Sequence, residues 1–127
     1  MEHEIRSIRP FIGAREFEIS RNFYRDFGFE EVVLASNFSV FKSGNFAFYL
    51  QDVYVRDWVG NTMVFLEVAD VSVYYERLLS LRLDEKYEGV RLSGIREEDW
   101  GRECFVHDPS GILWHIGEFY PSEEPIR

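Results

Sequence analysis

The side chains able to do chemistry crowd between Asp99 and His115, in the run DWGRECFVHDPSGILWH. It holds His107, His115 and Cys104, the chain's single cysteine, and it follows directly on Glu97-Glu98. Imidazole is a metal ligand or a base, but one imidazole does not hold Zn²⁺, Mn²⁺ or Fe²⁺. His3 stands near the N-terminus, and His107 directly precedes the Asp108-Pro109-Ser110-Gly111 turn. Cys104, between Glu103 and Phe105, reads as a small buried side chain and cannot form an internal disulfide. The adjacent acids Glu97, Glu98 and Asp99 read as a solvated loop that can also place negative charge beside Trp100. No Ser–His–Asp or Cys–His set carries a local signature, and there is no glycine-rich phosphate loop. Chemistry by bond-making therefore has few candidates, and binding by aromatic surfaces has many.

Aromatic residues make up 17% of the 127 residues: 12 Phe, 7 Tyr and 3 Trp. A core absorbs some of these, and the remainder suggest a pocket or an interface. The net charge of −9 opposes phosphate backbones, so no nucleic-acid partner is expected, and cationic ligands gain from the field. No apolar run approaches the roughly 18 residues of a membrane span, and MEHEIRSIRP lacks the apolar segment of a secretory signal. The expectation is a cytoplasmic protein without a membrane partner, folded as one domain over residues 1–127.

The elements that must position these side chains come in two similar sets. Residues 5–14 read as a strand. Residues 18–27 read as a helix with Ile19, Phe23 and Phe27 on one face, closed by Gly28. Strands follow at 30–35, 38–42 and 46–51, the last two joined by Ser43-Gly44-Asn45. The second set has a strand at 62–68, an Asp70-capped helix at 71–81, and strands near 87–95, 103–107 and 112–117. Strand, helix and three strands thus occur twice, over residues 5–51 and 61–118. This predicts an α+β fold of two βαβββ modules, whose curved mixed sheet surrounds a crevice with helices outside.

The repeated module, with FYRDFGFE closing the first helix and HDPSGILWH forming the last hairpin, resembles the vicinal oxygen chelate superfamily. That superfamily includes glyoxalase I, extradiol dioxygenases and bleomycin-resistance proteins. Over residues 7–118 the sequence is most similar to the bleomycin-resistance family. RPFIGARE resembles its opening strand, FYRDFGFE its helix end, and Asn61-Thr62 its fifth-strand opening. WGRECFVHDPSGILWH resembles its Trp-Gly-Arg-Glu-Phe, Arg-Asp-Pro-Ala-Gly-Asn and His segment, with histidine four residues after the glycine.

The resemblance places the superfamily's metal positions at Arg9, Met63, Phe48 or Tyr49, and His115. Only His115 is a good ligand for the hard or borderline ions these enzymes use, because arginine does not coordinate and a thioether is soft. No metal and no cofactor are expected. The family implies a homodimer with two interfacial crevices that sequester a bleomycin-like drug between aromatic rings without modifying it. Those rings correspond to Trp100 and, nine residues after Phe29, Phe38. Tyr49, Trp58, Glu98, Asp99 and His115 complete the expected ligand-binding set. Pro10 matches the point where the family's N-terminal strand exchanges between subunits. The family's acids before the phenylalanine are replaced here by Ala35-Ser36-Asn37, but Glu97, Glu98 and Asp99 before Trp100 restore negative charge at the mouth, so the expected ligand is a flat, cationic small molecule, bleomycin-like or another compound. The alternatives are a metal-dependent glyoxalase-like lyase or dioxygenase, and a protein that acts through partner contact alone.

Overall fold

A computed structural model describes residues 3–121. The first module runs β1 (Phe11–Gly13), α1 (Phe17–Phe27), β2 (Glu30–Ala35), β3 (Phe38–Ser43) and β4 (Phe46–Gln51). A short helix, α2 (Arg56–Val59), leads to the second module: β5 (Met63–Glu67), α3 (Val71–Leu81), α4 (Leu83–Lys86), β6 (Arg91–Glu97), β7 (Gly101–His107) and β8 (Leu113–Phe119). The two sheets share one plan. Their strand orders are β1-β4-β3-β2 and β5-β8-β7-β6. In each, the first and last strands of the module pair in parallel and the other pairs are antiparallel. Even the irregularities match, with a register shift between Val33 and Ala35 in one edge strand and between Ser93 and Arg96 in the other. The expected α+β duplication is therefore the observed fold, built as two four-stranded sheets rather than one hydrogen-bonded surface.

Helix α1 shows how the modules join. Its buried residues are Phe17, Ser20, Phe23, Tyr24 and Phe27, so the stripe runs beside the one expected, and Ile19 lies outside it, 39% exposed. The ring of Tyr24 packs on Phe41 and Phe48 of its own sheet and on Trp114 of the second. The Tyr24 hydroxyl donates to Asp108 Oδ2 at 2.6 Å and accepts from Trp114 Nε1 at 3.0 Å. Asp108 Oδ1 accepts from the backbone N–H groups of Ser110 and Ile112. Thus the Asp-Pro-Ser-Gly turn is fastened by its own aspartate to a helix 84 residues away. Burial pushes the Tyr24 phenol well up, and the neighbouring Asp108 charge adds to this, so the hydroxyl remains a donor.

The local capping signals act where the sequence carries them. Gly28 closes α1 at φ 126°, a left-handed conformation that glycine adopts without a Cβ clash. The Asp70 side chain accepts from Ser72 and Val73 N–H at the start of α3, as an N-cap does. Three expectations shift. The first strand is confined to Phe11–Gly13, because only there does it meet β4; residues 3–10 are exposed and without regular structure. The strand expected at 87–95 begins at Arg91, because α4 takes up the preceding chain. The sequence pattern predicts neither α2 nor α4, each being about a single turn without a periodic stripe.

Candidate functional site

Each sheet has one face toward the helices and one open face. Along β4, Phe48 and Leu50 turn to the core while Ala47, Tyr49 and Gln51 turn away. The open face of the first sheet carries three rings from three strands. Phe11 stacks on Tyr49 with centroids 4.5 Å apart, and Phe38 lies 6.4 Å from Phe11 and 6.2 Å from Tyr49. The Arg9 guanidinium stands 6.0 Å from the Tyr49 ring centroid. The strand register explains the trio: Phe11 is the cross-strand partner of Tyr49 and Phe38 begins the next strand.

The open face of the second sheet carries a larger group. The Trp100 ring lies 5.1 Å from Phe119 and 5.7 Å from Phe65, and Phe65 lies 5.6 Å from Phe119. Trp100 is held at the tip of a hairpin in which Glu98 N–H donates to the Gly101 carbonyl. Its own carbonyl accepts from Tyr120 N–H. Two glycines make room for this. A Cβ at Gly101 would come within 2.0 Å of the Glu118 carbonyl oxygen, and one at Gly117 within 2.6 Å of the Phe65 ring. The Trp-Gly-Arg-Glu segment thus has four parts: a ring on the open face, a close backbone approach, Arg102, and Glu103. Arg102 pairs with Glu118 at 3.0 Å, and Glu118 also accepts from Val71 N–H.

Glu103 is the residue that sequence reasoning did not select. It is 6% exposed, and its Oε1 lies 3.0 Å from His115 Nδ1. The other ring nitrogen of His115 is 3.4 Å from Met63 Sδ. The imidazole is packed edge-on against Phe105, centroids 5.0 Å apart, and lies parallel to Phe65 at 6.4 Å. Period-two alternation from Gly101 would have put Glu103 on this face, and the same counting from Met63 would have added Phe65. Cys104, on the opposite face, is fully buried; burial, then the Glu103 charge, pushes its thiol up to about 11.

The remaining candidates are spread around these two faces. Asp99 is exposed and Glu98 half-buried at the hairpin tip, with Glu98 3.8 Å from Arg96. Trp58, in α2, is 70% exposed and so is no core residue. Phe38 and Trp100 stand on different sheets, and their ring contacts run to their own neighbours. A cleft of about 670 Å³ lies between the modules, lined by Pro10, Phe29, Phe46, Phe48, Val64, Phe65, Leu66 and Trp114 among others, so Phe65 borders both it and the Trp100 group. None of the seven expected ligand-binding residues lines it.

The donor set does not suit a divalent ion. The positions implied for a metal hold Arg9 beside a tyrosine ring, a stacked Tyr49, the thioether of Met63, and His115 tied to Glu103. Among the described residues no three His, Cys, Asp or Glu side chains converge. Nor is any helix among them long and apolar enough to cross a membrane.

No family model matches the sequence, and no curated protein sequence matches it. Solved structures do match its fold. A bleomycin-binding protein from bleomycin-producing Streptomyces verticillus, complexed with copper(II)-bleomycin, superposes with a TM-score of 0.78 at 20% identity, over 94% of this chain and 100% of that one. A bleomycin resistance determinant encoded on the transposon Tn5 gives 0.77 at 18% identity, over 91% and 98%. A lactoylglutathione lyase from Agrobacterium tumefaciens gives 0.66 at 17% identity, over 91% and 95%. The shared property is the glyoxalase/bleomycin resistance/dioxygenase fold, and the same fold serves binding proteins and enzymes.

Proposed function

We propose that this chain is a metal-independent, non-enzymatic small-molecule binding protein of the bleomycin-resistance type. It sequesters a flat, cationic ligand in crevices between two copies. The observation that carries this reading is the pair of aromatic groups on the open sheet faces, Phe11–Phe38–Tyr49 and Phe65–Trp100–Phe119. Neither is needed by the core. Phe11 is 55% exposed and Phe65 44%, and contiguous apolar surface of this kind marks interaction sites. Flat rings gain roughly 1 kcal/mol or more for each good stacking contact, and a cation adds to it. The acids Glu98 and Asp99 beside Trp100 and the net charge of −9 favour a positive ligand.

The two groups belong to different sheets, and the proposed sandwich between Phe38 and Trp100 takes one ring from each of two copies. The N-terminal segment supports such a dimer. Ile5 and Ile8 are 85% and 94% exposed, and they precede Pro10, which lies at the lip of the apolar cleft between modules. Exchange of these arms would cover both. The likeness to a lactoylglutathione lyase keeps a metal-assisted enzyme as the second reading, and the lone His115–Glu103 pair is what favours it. Arg9, Tyr49 and Met63 at the other positions are what oppose it.

The test is titration with metal-free bleomycin, following tryptophan fluorescence. Trp58→Phe removes the exposed reporter while buried Trp114 remains as a constant background. Saturable quenching at one drug per chain, weakened about ten-fold or more in Trp100→Ala and in Phe38→Ala, is expected. A protein that leaves bleomycin unbound would not be a bleomycin-sequestering protein.

A further inference from the structure

The Glu103–His115 pair lies on the same open face as Trp100 and is not accounted for by stacking. A carboxylate only accepts hydrogen bonds, so the contact between Glu103 Oε1 and His115 Nδ1 at 3.0 Å is satisfied when Nδ1 carries the hydrogen. In the neutral ring Nε2 then bears a lone pair. That lone pair faces Met63 Sδ at 3.4 Å, and a thioether is itself only an acceptor. In that tautomer two acceptors confront each other on a surface otherwise made of Phe65, Phe105 and Trp100. Met63 is 65% exposed and unbranched, so it can move aside. Glu103 is held between β6 and β8, and Phe105 and Phe65 fix the plane of the imidazole.

We propose that His115 is the polar anchor of the ligand site, with Glu103 as its positioning residue, and that the site selects flat ring compounds bearing an N–H donor directed at His115 Nε2. This inference rests on the aromatic-face reading above and adds the chemical group that the ligand must present. Stacking is indifferent to ring substituents, whereas an acceptor that the stacked ligand itself covers penalises a ligand that leaves it unpaired. Met63 acts as a displaceable cover over the acceptor when no ligand is present.

A matched pair of probes tests this without knowledge of the natural ligand: benzimidazole, which has a ring N–H, and 1-methylbenzimidazole, which has none. Both are neutral at mildly alkaline pH, and binding to each is read from the change in tryptophan fluorescence of the wild-type protein that Trp100→Phe abolishes. Benzimidazole is expected to bind about ten-fold tighter, the worth of one well-made hydrogen bond. The preference is expected to vanish in the Glu103→Gln/His115→Phe double variant, which keeps an aromatic ring at 115 and leaves no carboxylate unpaired. Glu103→Gln alone lets the imidazole exchange tautomers, since an amide can donate as well as accept, and should weaken the preference. Nitrogen-15 NMR of the free protein should show the Nδ1–H tautomer of His115. Equal affinities for the two probes would overturn the anchor and leave the aromatic site standing. An Nε2–H or doubly protonated His115 would overturn it regardless of ligand. Failure of both probes to perturb Trp100 would overturn the aromatic site and the anchor together.

Discussion

Glu31 shows how one side chain can collect several partners and give the protein a pH signature. Its carboxylate accepts from Arg21 Nε at 2.7 Å and from Ser39 Oγ at 2.6 Å, and it pairs with Arg25. Burial is the largest single influence and pushes its carboxyl up, but the hydrogen bonds from Arg21 and Ser39 with the Arg21 charge outweigh it, and the net direction is downward. A carboxyl with a lowered folded pKa contributes stability that is complete above the ordinary value of about 4.3. That contribution is lost as pH falls through the folded value. Glu31→Gln should therefore lose stability near neutral pH and flatten the acid limb of the urea-midpoint profile. An unchanged acid slope would show that the cluster does not couple folding to protons. Glu103, by contrast, commits its buried carboxylate to one imidazole at the open face.

At the scale of elements, the DPSG turn is more than a chain reversal. Asp108 joins β7, β8 and α1 through the Tyr24 hydroxyl, which Trp114 also uses. Tyr24→Phe would remove one hydroxyl and leave a fully buried carboxylate short of a donor and an indole N–H short of an acceptor. The expected loss is about 2 to 4 kcal/mol, measured by urea denaturation with both helix and near-ultraviolet signals. A loss below about 0.5 kcal/mol would mean that a water replaces the hydroxyl. Because α1 belongs to the first module and the turn to the second, such a loss should appear in a single cooperative transition rather than in half of the molecule.

For the whole molecule the proposed arrangement is one between copies. One chain leaves two aromatic sheet faces, a cleft and the arm carrying Ile5 and Ile8 uncovered. Burying such surface at roughly 25 cal/mol per Å² is the driving force for the proposed dimer. Ile8→Asp, which places a charge in the middle of the arm, should shift the protein toward monomer in sedimentation equilibrium while leaving its circular dichroism unchanged. If the wild-type chain sediments as a monomer at micromolar concentrations, the crevice between copies has no basis and the two aromatic faces would have to act separately.

The amino-acid sequence by itself determined the duplication, because the periods of β and α segments recur in the same order in both halves. It also determined the Gly28 and Asp70 caps and the burial of Cys104, each a matter of local chemistry. Trp100 and His115 were legible as site candidates from their place around the DPSG turn. What only the tertiary structure decided is which of many aromatic side chains serve the core and which stand free. Phe23, Phe27, Phe41 and Phe48 are consumed by the core, and no spacing rule separates them from Phe11 or Phe65 until the sheet faces are known. The pairing of Glu103 with His115 likewise joins residues 12 positions apart. It depends on the register of β7 against β8, which is set by side-chain packing across the whole sheet rather than by either residue's neighbours in the chain.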